Sequence, residues 1–226
     1  MIREMNISMN ESKAKVLQLF PISVFQSKID INEDTKKFLC SQEYERMPSN
    51  NGNFSKNKYI LESAECSNLK KDIMKQLDVF TKKYLTVKDN VRFYMQNSWV
   101  VEHHKNDWGQ PHLHGNSLLS GVCYIKTEKD SGNIIFHKPD GYTNLFHSST
   151  MILFNEYDNH NCDDWGITPE DGDILIFPSH LMHSIKHNNS NVDRYSLAFN
   201  FHVEGELYSK TSKIDYLKLK ENKPYE

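Results

Sequence analysis

The chain changes its apolar period once, near residue 91. Before that point the pattern is mostly helical. Leu69, Ile73, Leu77, Phe80 and Tyr84 recur at helical spacing, and Lys70, Lys71, Lys75, Lys82 and Lys83 fill the other face. The spacing predicts a long helix opening at residues 63–67, its stripe packed across the outside of a sheet. A shorter helix is predicted through about Cys40, capped by Asp30 or Asn32, with Glu33 and Asp34 in its first turn. Residues 16–29 read as extended chain broken by Pro21, and residues 1–15 as a frayed polar start. Residues 47–58 are turn-forming and polar, and read as a surface loop rather than a site border.

From Val91 onward the period is two. Residues 91–102 alternate and are rich in aromatic and β-branched types. Further strands are predicted at 117–126, 133–137, 150–154, 172–177 and 194–203. Turn clusters separate them, such as Lys129-Asp130-Ser131-Gly132 and Glu170-Asp171-Gly172-Asp173. Short strands at this spacing argue for a sandwich or barrel. The expected architecture is mainly β with flanking helices (α+β), in one domain spanning 1–226. Residues 1–90 form an N-terminal strand and helical layer, 91–203 the β core, and 204–226 a C-terminal extension.

Composition narrows the class. The chain has 226 residues, 38% hydrophobic and 25% charged, which suits a folded protein with a true core. The net charge of −3 offers no basic field for nucleic acid. Cys40, Cys66, Cys123 and Cys162 form no CxxC pair, so reduced thiols and a cytoplasmic location are expected. No apolar signal core and no membrane-length run is present, so no membrane partner is expected.

The candidate chemistry centres on Gln110-Pro111-His112-Leu113-His114. In an extended segment His112 and His114 face the same way. Two imidazoles on one face hold a metal ion, given a third ligand from elsewhere. His183, after the apolar strand 174–178, is the best candidate. On the last strand Arg194, Ser196, Ala198 and Asn200 share one face, while Tyr195, Leu197, Phe199 and Phe201 share the other. An arginine facing inward beside a metal needs an anion, and a carboxylate taken bidentately is its natural partner. Trp108 is a candidate wall near the ligand loop, and His180 a candidate rim residue. His103 and His104 precede the motif and, being adjacent on a strand, are not expected to bind together.

The order of motifs resembles a known family. His-x-His is followed by Ser120-Gly121-Val122-x-Tyr124, then Ser131-Gly132-x-Ile134-x-Phe136, then Pro169-x-x-Gly172-Asp173-x-x-x-Phe177-Pro178-Ser179, then His183 and Arg194-x-Ser196. This series resembles the 2-oxoglutarate- and Fe(II)-dependent oxygenases, in particular the prolyl-4-hydroxylase-like branch that includes oxygenases found in phage genomes. The opening Leu19-Phe20-Pro21-Ile22-x-Val24-Phe25 looks like that branch too. The resemblance implies a double-stranded β-helix (a jelly roll, cupin-like) using Fe(II), 2-oxoglutarate and O₂. It implies His112 and His183 as metal ligands and Arg194, assisted by Ser196, as the partner of the far carboxylate of 2-oxoglutarate. Tyr124 and Asn97 are further candidates to face the co-substrate. One departure stands out: the superfamily's triad is two histidines and a carboxylate, and here the carboxylate position holds His114. Either His114 is the third ligand, or a neighbour such as Asp107 or Glu102 takes the place. The expected activity is hydroxylation of a C–H bond in an unidentified peptide, protein or small molecule. The rivals are another metal-dependent cupin-type enzyme (a zinc hydrolase or a dioxygenase needing no oxo-acid) and a non-catalytic jelly-roll binding module.

Overall fold

The structure, a computed structural model, describes residues 17, 20–139 and 152–204, with the backbone alone of Glu206–Ser209 and Ser212–Asp215. The chain order begins β1 (Phe25–Lys28), α1 (Glu33–Cys40), β2 (Tyr44–Arg46), β3 (Asn53–Ser55), α2 (Ser67–Asp78) and β4 (Arg92–His103). Next come β5 (Gly109–His112), β6 (Leu119–Lys126), β7 (Ile134–His137), β8 (Asp164–Ile167), β9 (Asp173–Pro178), β10 (His183–Ile185) and β11 (Arg194–Glu204). A hairpin of β12 (Glu206–Ser209) and β13 (Ser212–Asp215) follows.

Seven strands form the major sheet, in the order β1-β9-β6-β11-β4-β3-β2. Four form the minor sheet, β5-β10-β7-β8. Period-two alternation sorts the side chains of the major sheet between two cores. Cys123, Ile125, Ile174, Ile176, Leu197, Phe199 and Val100 face outward and cluster with Leu69, Ile73, Leu77 and Phe80 of the long helical segment. Val122, Tyr124, Leu175 and Phe177 face the other way and meet Ile134 and Phe136 of the minor sheet. The result is three layers: helix, major sheet, minor sheet.

The helical expectations held in position. Asn32 caps α1, its side chain accepting from the Thr35 amide at 2.8 Å. α2 buries Leu69, Ile73 and Leu77, but Tyr84 is exposed, because the helix widens into a π-turn over Val79–Tyr84 and the stripe rotates off the sheet. The strands expected at 91–102, 117–126, 133–137, 172–177 and 194–203 are β4, β6, β7, β9 and β11. Residues 47–58 correct the loop expectation. They hold a short 3₁₀ turn and β3, which pairs with β4. Of the strand expected at 150–154, residues 150 and 151 lie outside the described residues, and 152–154 have no regular structure. Among the described residues no helix is long and apolar enough to cross a membrane.

Candidate metal centre

Three imidazoles meet where the two sheets face each other. His183 and His112 are direct cross-strand partners between β10 and β5, with ring centroids 4.3 Å apart. His114 lies in the loop after β5, anchored by its amide to the Ser179 carbonyl at 2.9 Å. Its ring centroid is 5.3 Å from each of the other two. One ligating atom from each ring falls within 4.8 Å of the others.

The tautomers are set by hydrogen bonds. His112 Nδ1 lies 2.8 Å from the Gln110 carbonyl, and His183 Nδ1 lies 2.9 Å from the Leu181 carbonyl. A carbonyl only accepts, so each Nδ1 must carry the proton and donate it. His114 Nδ1 donates in the same way to Asn200 Oδ1 at 2.6 Å. Each ring is thus left with an unprotonated Nε2 lone pair, the form that binds a metal. Burial, then the neighbouring imidazoles, push the His183 pKa down to about 3, and burial also lowers that of His114. The His114 and His183 rings are neutral and ready as ligands at neutral pH. Asn200 is itself held, accepting from Ser120 Oγ at 2.7 Å and donating to Asn97 Oδ1 at 2.9 Å.

The two carboxylates that could have replaced His114 are engaged elsewhere. Asp107 accepts both ends of the Arg46 guanidinium, at 2.5 and 2.6 Å. Burial alone would raise its pKa, but that pairing and the His104 amide hold it below the ordinary range. Glu102 accepts from Tyr195 Oη at 2.5 Å and Asn53 Nδ2 at 2.6 Å. Neither joins the three-imidazole cluster.

Beside the imidazoles, a cavity of about 280 Å³ opens between the sheets. His112, His114, His183, Tyr124, Arg194 and Ser196 all border it. Arg194 is 1% exposed, yet among the described residues it faces no carboxylate: Nη1 donates to the Gly132 carbonyl at 3.0 Å, and Nη2 to His103 Nδ1 at 2.8 Å. Among the described residues, three buried side-chain polar atoms lack a partner: Arg194 Nε, Tyr124 Oη and His103 Nε2. All three belong to residues bordering this cavity. A buried cation with an unpaired donor fits an anionic ligand, and orphaned polar atoms on one cavity wall imply a polar guest. A one-residue bulge at Ile125 sets Tyr124 directly opposite Ser196, so both point at that wall.

Four other sequence readings are adjusted. Trp108 lies outside the cavity lining. It stacks on His187 at 5.7 Å and donates from Nε1 to the Ser49 carbonyl, whereas Trp99 lines the cavity and stacks on His114 at 6.1 Å. His180 is exposed at the turn before β10 and does not border the cavity. Asn97 reaches the centre only through Asn200. Met47 and Asn51, from the segment read as surface loop, line the opening. Sequence reasoning missed His103 and Asn200, although strand alternation placed Asn200 on the inward face.

Three imidazoles able to hold one metal ion, beside a buried arginine, sit on a double-stranded β-helix. Residues 97–200 match the family model described as "Putative 2OG-Fe(II) oxygenase". Over that stretch, somewhat under half of its length, the chain is similar to the 2-oxoglutarate- and Fe(II)-dependent oxygenases. No curated protein matches the sequence. Among solved structures, a Pseudomonas putida prolyl-4-hydroxylase aligns over 80% of this chain and 92% of its own, with a TM-score of 0.52 and 15% identity. The non-heme alpha ketoglutarate dependent epimerase SnoN from nogalamycin biosynthesis aligns over 80% and 78%, with a TM-score of 0.56 and 12% identity. HygX from Streptomyces hygroscopicus, solved with nickel, 2-oxoglutarate and hygromycin B bound, aligns over 80% and 82%, with a TM-score of 0.53 and 11% identity. At these identities the likeness speaks for the fold.

Proposed function

We propose that His112, His114 and His183 hold the Fe(II), that Arg194, Ser196 and Tyr124 receive the far carboxylate of 2-oxoglutarate, and that the enzyme hydroxylates a C–H bond of a separate substrate. The observation that carries this reading is the buried Arg194 guanidinium, unpaired by any carboxylate among the described residues and bordering the same cavity as the three imidazoles. When bound, Fe(II) and 2-oxoglutarate would supply, together with O₂, an oxidant for C–H bonds: one oxygen atom goes into succinate as 2-oxoglutarate loses CO₂, and the other into the hydroxylated product. The protein's part is orientation and shelter. Three Nε2 lone pairs are aimed by fixed Nδ1 donors, and Arg194 offers its free donors to a carboxylate. Val122, Ile134 and Phe177 wall the cavity with apolar surface and keep water from it.

The prime substrate enters past Met47, Asn51, Phe54, Trp99 and Gln110, which carry no charge. A neutral group on a peptide, a protein or a small molecule suits that opening better than a nucleic acid, in keeping with the net charge of −3. Four free thiols support a reducing, cytoplasmic setting. The test is succinate release by purified protein. It should require both Fe(II) and 2-oxoglutarate and vanish in His183→Ala and Arg194→Leu. Stoichiometric zinc with no affinity for 2-oxoglutarate would overturn the reading in favour of a different metal enzyme.

A further inference from the structure

His103 belongs to no part of the site as assigned so far, yet its surroundings are unusual. It is 3% exposed, borders the cavity, and is the direct cross-strand partner of Arg194 between β4 and β11. Arg194 Nη2 lies 2.8 Å from His103 Nδ1. A guanidinium only donates, so Nδ1 must be the acceptor and the ring's single proton is on Nε2. Burial and the adjacent cation both favour the neutral ring and push its pKa down to about 3, against weaker opposite pulls from the Asp107 carboxylate and the Trp108 backbone. Gly52 makes the room: a Cβ there would lie 2.9 Å from His103 Cδ2, and its φ of +85° already favours glycine.

We propose that His103 is a positioning residue for the co-substrate, acting through Arg194, an inference that rests on the 2-oxoglutarate reading above. A guanidinium has five hydrogens to place. Nη1 is held by the Gly132 carbonyl at 3.0 Å and the Ser131 carbonyl at 3.4 Å. His103 takes one hydrogen of Nη2. That leaves Nε–H, which has no partner, and the second Nη2 hydrogen. These two form the fork a carboxylate takes side-on. Without an acceptor at Nδ1 the guanidinium can rotate about its last bonds, and the fork loses its aim. His103 thus fixes the plane of Arg194 from behind, as carbonyls fix a metal-binding histidine.

The discriminating ligands are 2-oxoglutarate and oxalate, which share a chelating end while only the first has a distal carboxylate. Both are titrated into Mn(II)-loaded protein, with folding checked by thermal melting and metal affinity. His103→Leu removes the acceptor. His103→Asn keeps one, since Asn Oδ1 falls near the place of His Nδ1. We expect His103→Leu to weaken 2-oxoglutarate about ten- to hundredfold, leave oxalate within about twofold, and be rescued by His103→Asn. Wild-type affinity in a folded His103→Leu, or equal losses for both ligands, would overturn the role of His103. If His103→Leu does not fold, His103→Asn against His103→Gln decides, because Gln puts its amide near Nε2 instead: equal affinities in the two overturn the proposal. If the wild type binds 2-oxoglutarate no better than oxalate and Arg194→Leu changes nothing, it is the underlying reading that fails.

Discussion

At the scale of single residues, the centre depends on which nitrogen of each imidazole is free. His114 is the informative one, because its Nδ1 acceptor is a side chain and can be changed. Asn200→Leu should leave that proton unpaired and lower Mn(II) affinity about ten- to hundredfold, whereas Asn200→Asp keeps an acceptor and should retain most of it. Metal titration reads both, and unchanged affinity in the leucine variant would show that the Asn200 bond does not aim the ring. Charge gives a second test. On the proposed ligand set, three neutral imidazoles would leave the full dipositive charge to meet the co-substrate, so His114→Asp would add a negative charge beside a dianion. It should keep the metal and weaken 2-oxoglutarate about tenfold. The His-x-His pair, His183 and Arg194 were legible in the sequence because each is a reactive side chain at a strand end or an alternating position. His103 and Asn200 were not, because what they do is set by a partner ninety to a hundred residues away in sequence and directly opposite, or nearly so, in the sheets.

Among the elements, legibility followed length and contrast. β4 and β11 are long and carry alternating stretches, β6 and β9 are near-continuous buried apolar runs, and all four could be read directly. β5, β8 and β10 hold three or four residues each, many polar, and exist because the minor sheet supplies their hydrogen bonds. Their side chains help only after pairing: His137 bonds Asp164 at 2.5 Å and Ser184 at 2.8 Å, tying together the strands that carry His183. The turn from β6 to β7 is the element where backbone and site are most tightly joined. Gly132 has φ +97°, and a Cβ there would fall 2.2 Å from the Lys186 carbonyl oxygen. The same turn offers the carbonyls of Ser131 and Gly132 to Arg194. Gly132→Ala should therefore cost about 2–4 kcal/mol in urea unfolding and weaken 2-oxoglutarate more than the metal. Gly115, whose added Cβ meets nothing within 4 Å, is the control, and its alanine variant should stay within about 0.5 kcal/mol. A Gly132→Ala protein as stable as that control would show that the turn is free to relax.

For the whole molecule, buried histidines tie stability to pH, and His103 is the one that can be changed without touching the three clustered imidazoles. The change of period at residue 91 announced a helical layer on a β sandwich, but it could not show that the inward face would bury an ionisable ring beside a cation. His103 is neutral in the fold, its pKa pushed down to about 3 by burial and then by Arg194. In the unfolded chain it titrates near the ordinary value of 6.5. Above pH 6.5 both states hold the ring neutral, so its contribution to stability is fully present and does not vary. Between 6.5 and 3 the unfolded chain binds a proton that the fold refuses, and stability falls as pH falls. One such group adds at most about 1.4 kcal/mol per pH unit. Carboxylates held low, such as Asp107, add their loss as pH falls toward the ordinary aspartate value of 3.8 and beyond, so a comparison kept between pH 5 and 7.5 stays above most of it. The measurement is urea unfolding of metal-free protein at several pH values between 5 and 7.5, wild type against His103→Asn. The variant keeps the acceptor for Arg194 but has no titrating ring, and His114 and His183 contribute alike to both proteins. The wild type should lose stability more steeply below pH 6.5, by up to one proton's worth of slope, and the two curves should run parallel above it. Parallel curves throughout would mean that the His103 pocket admits water, and with it a proton, more freely than its 3% exposure implies.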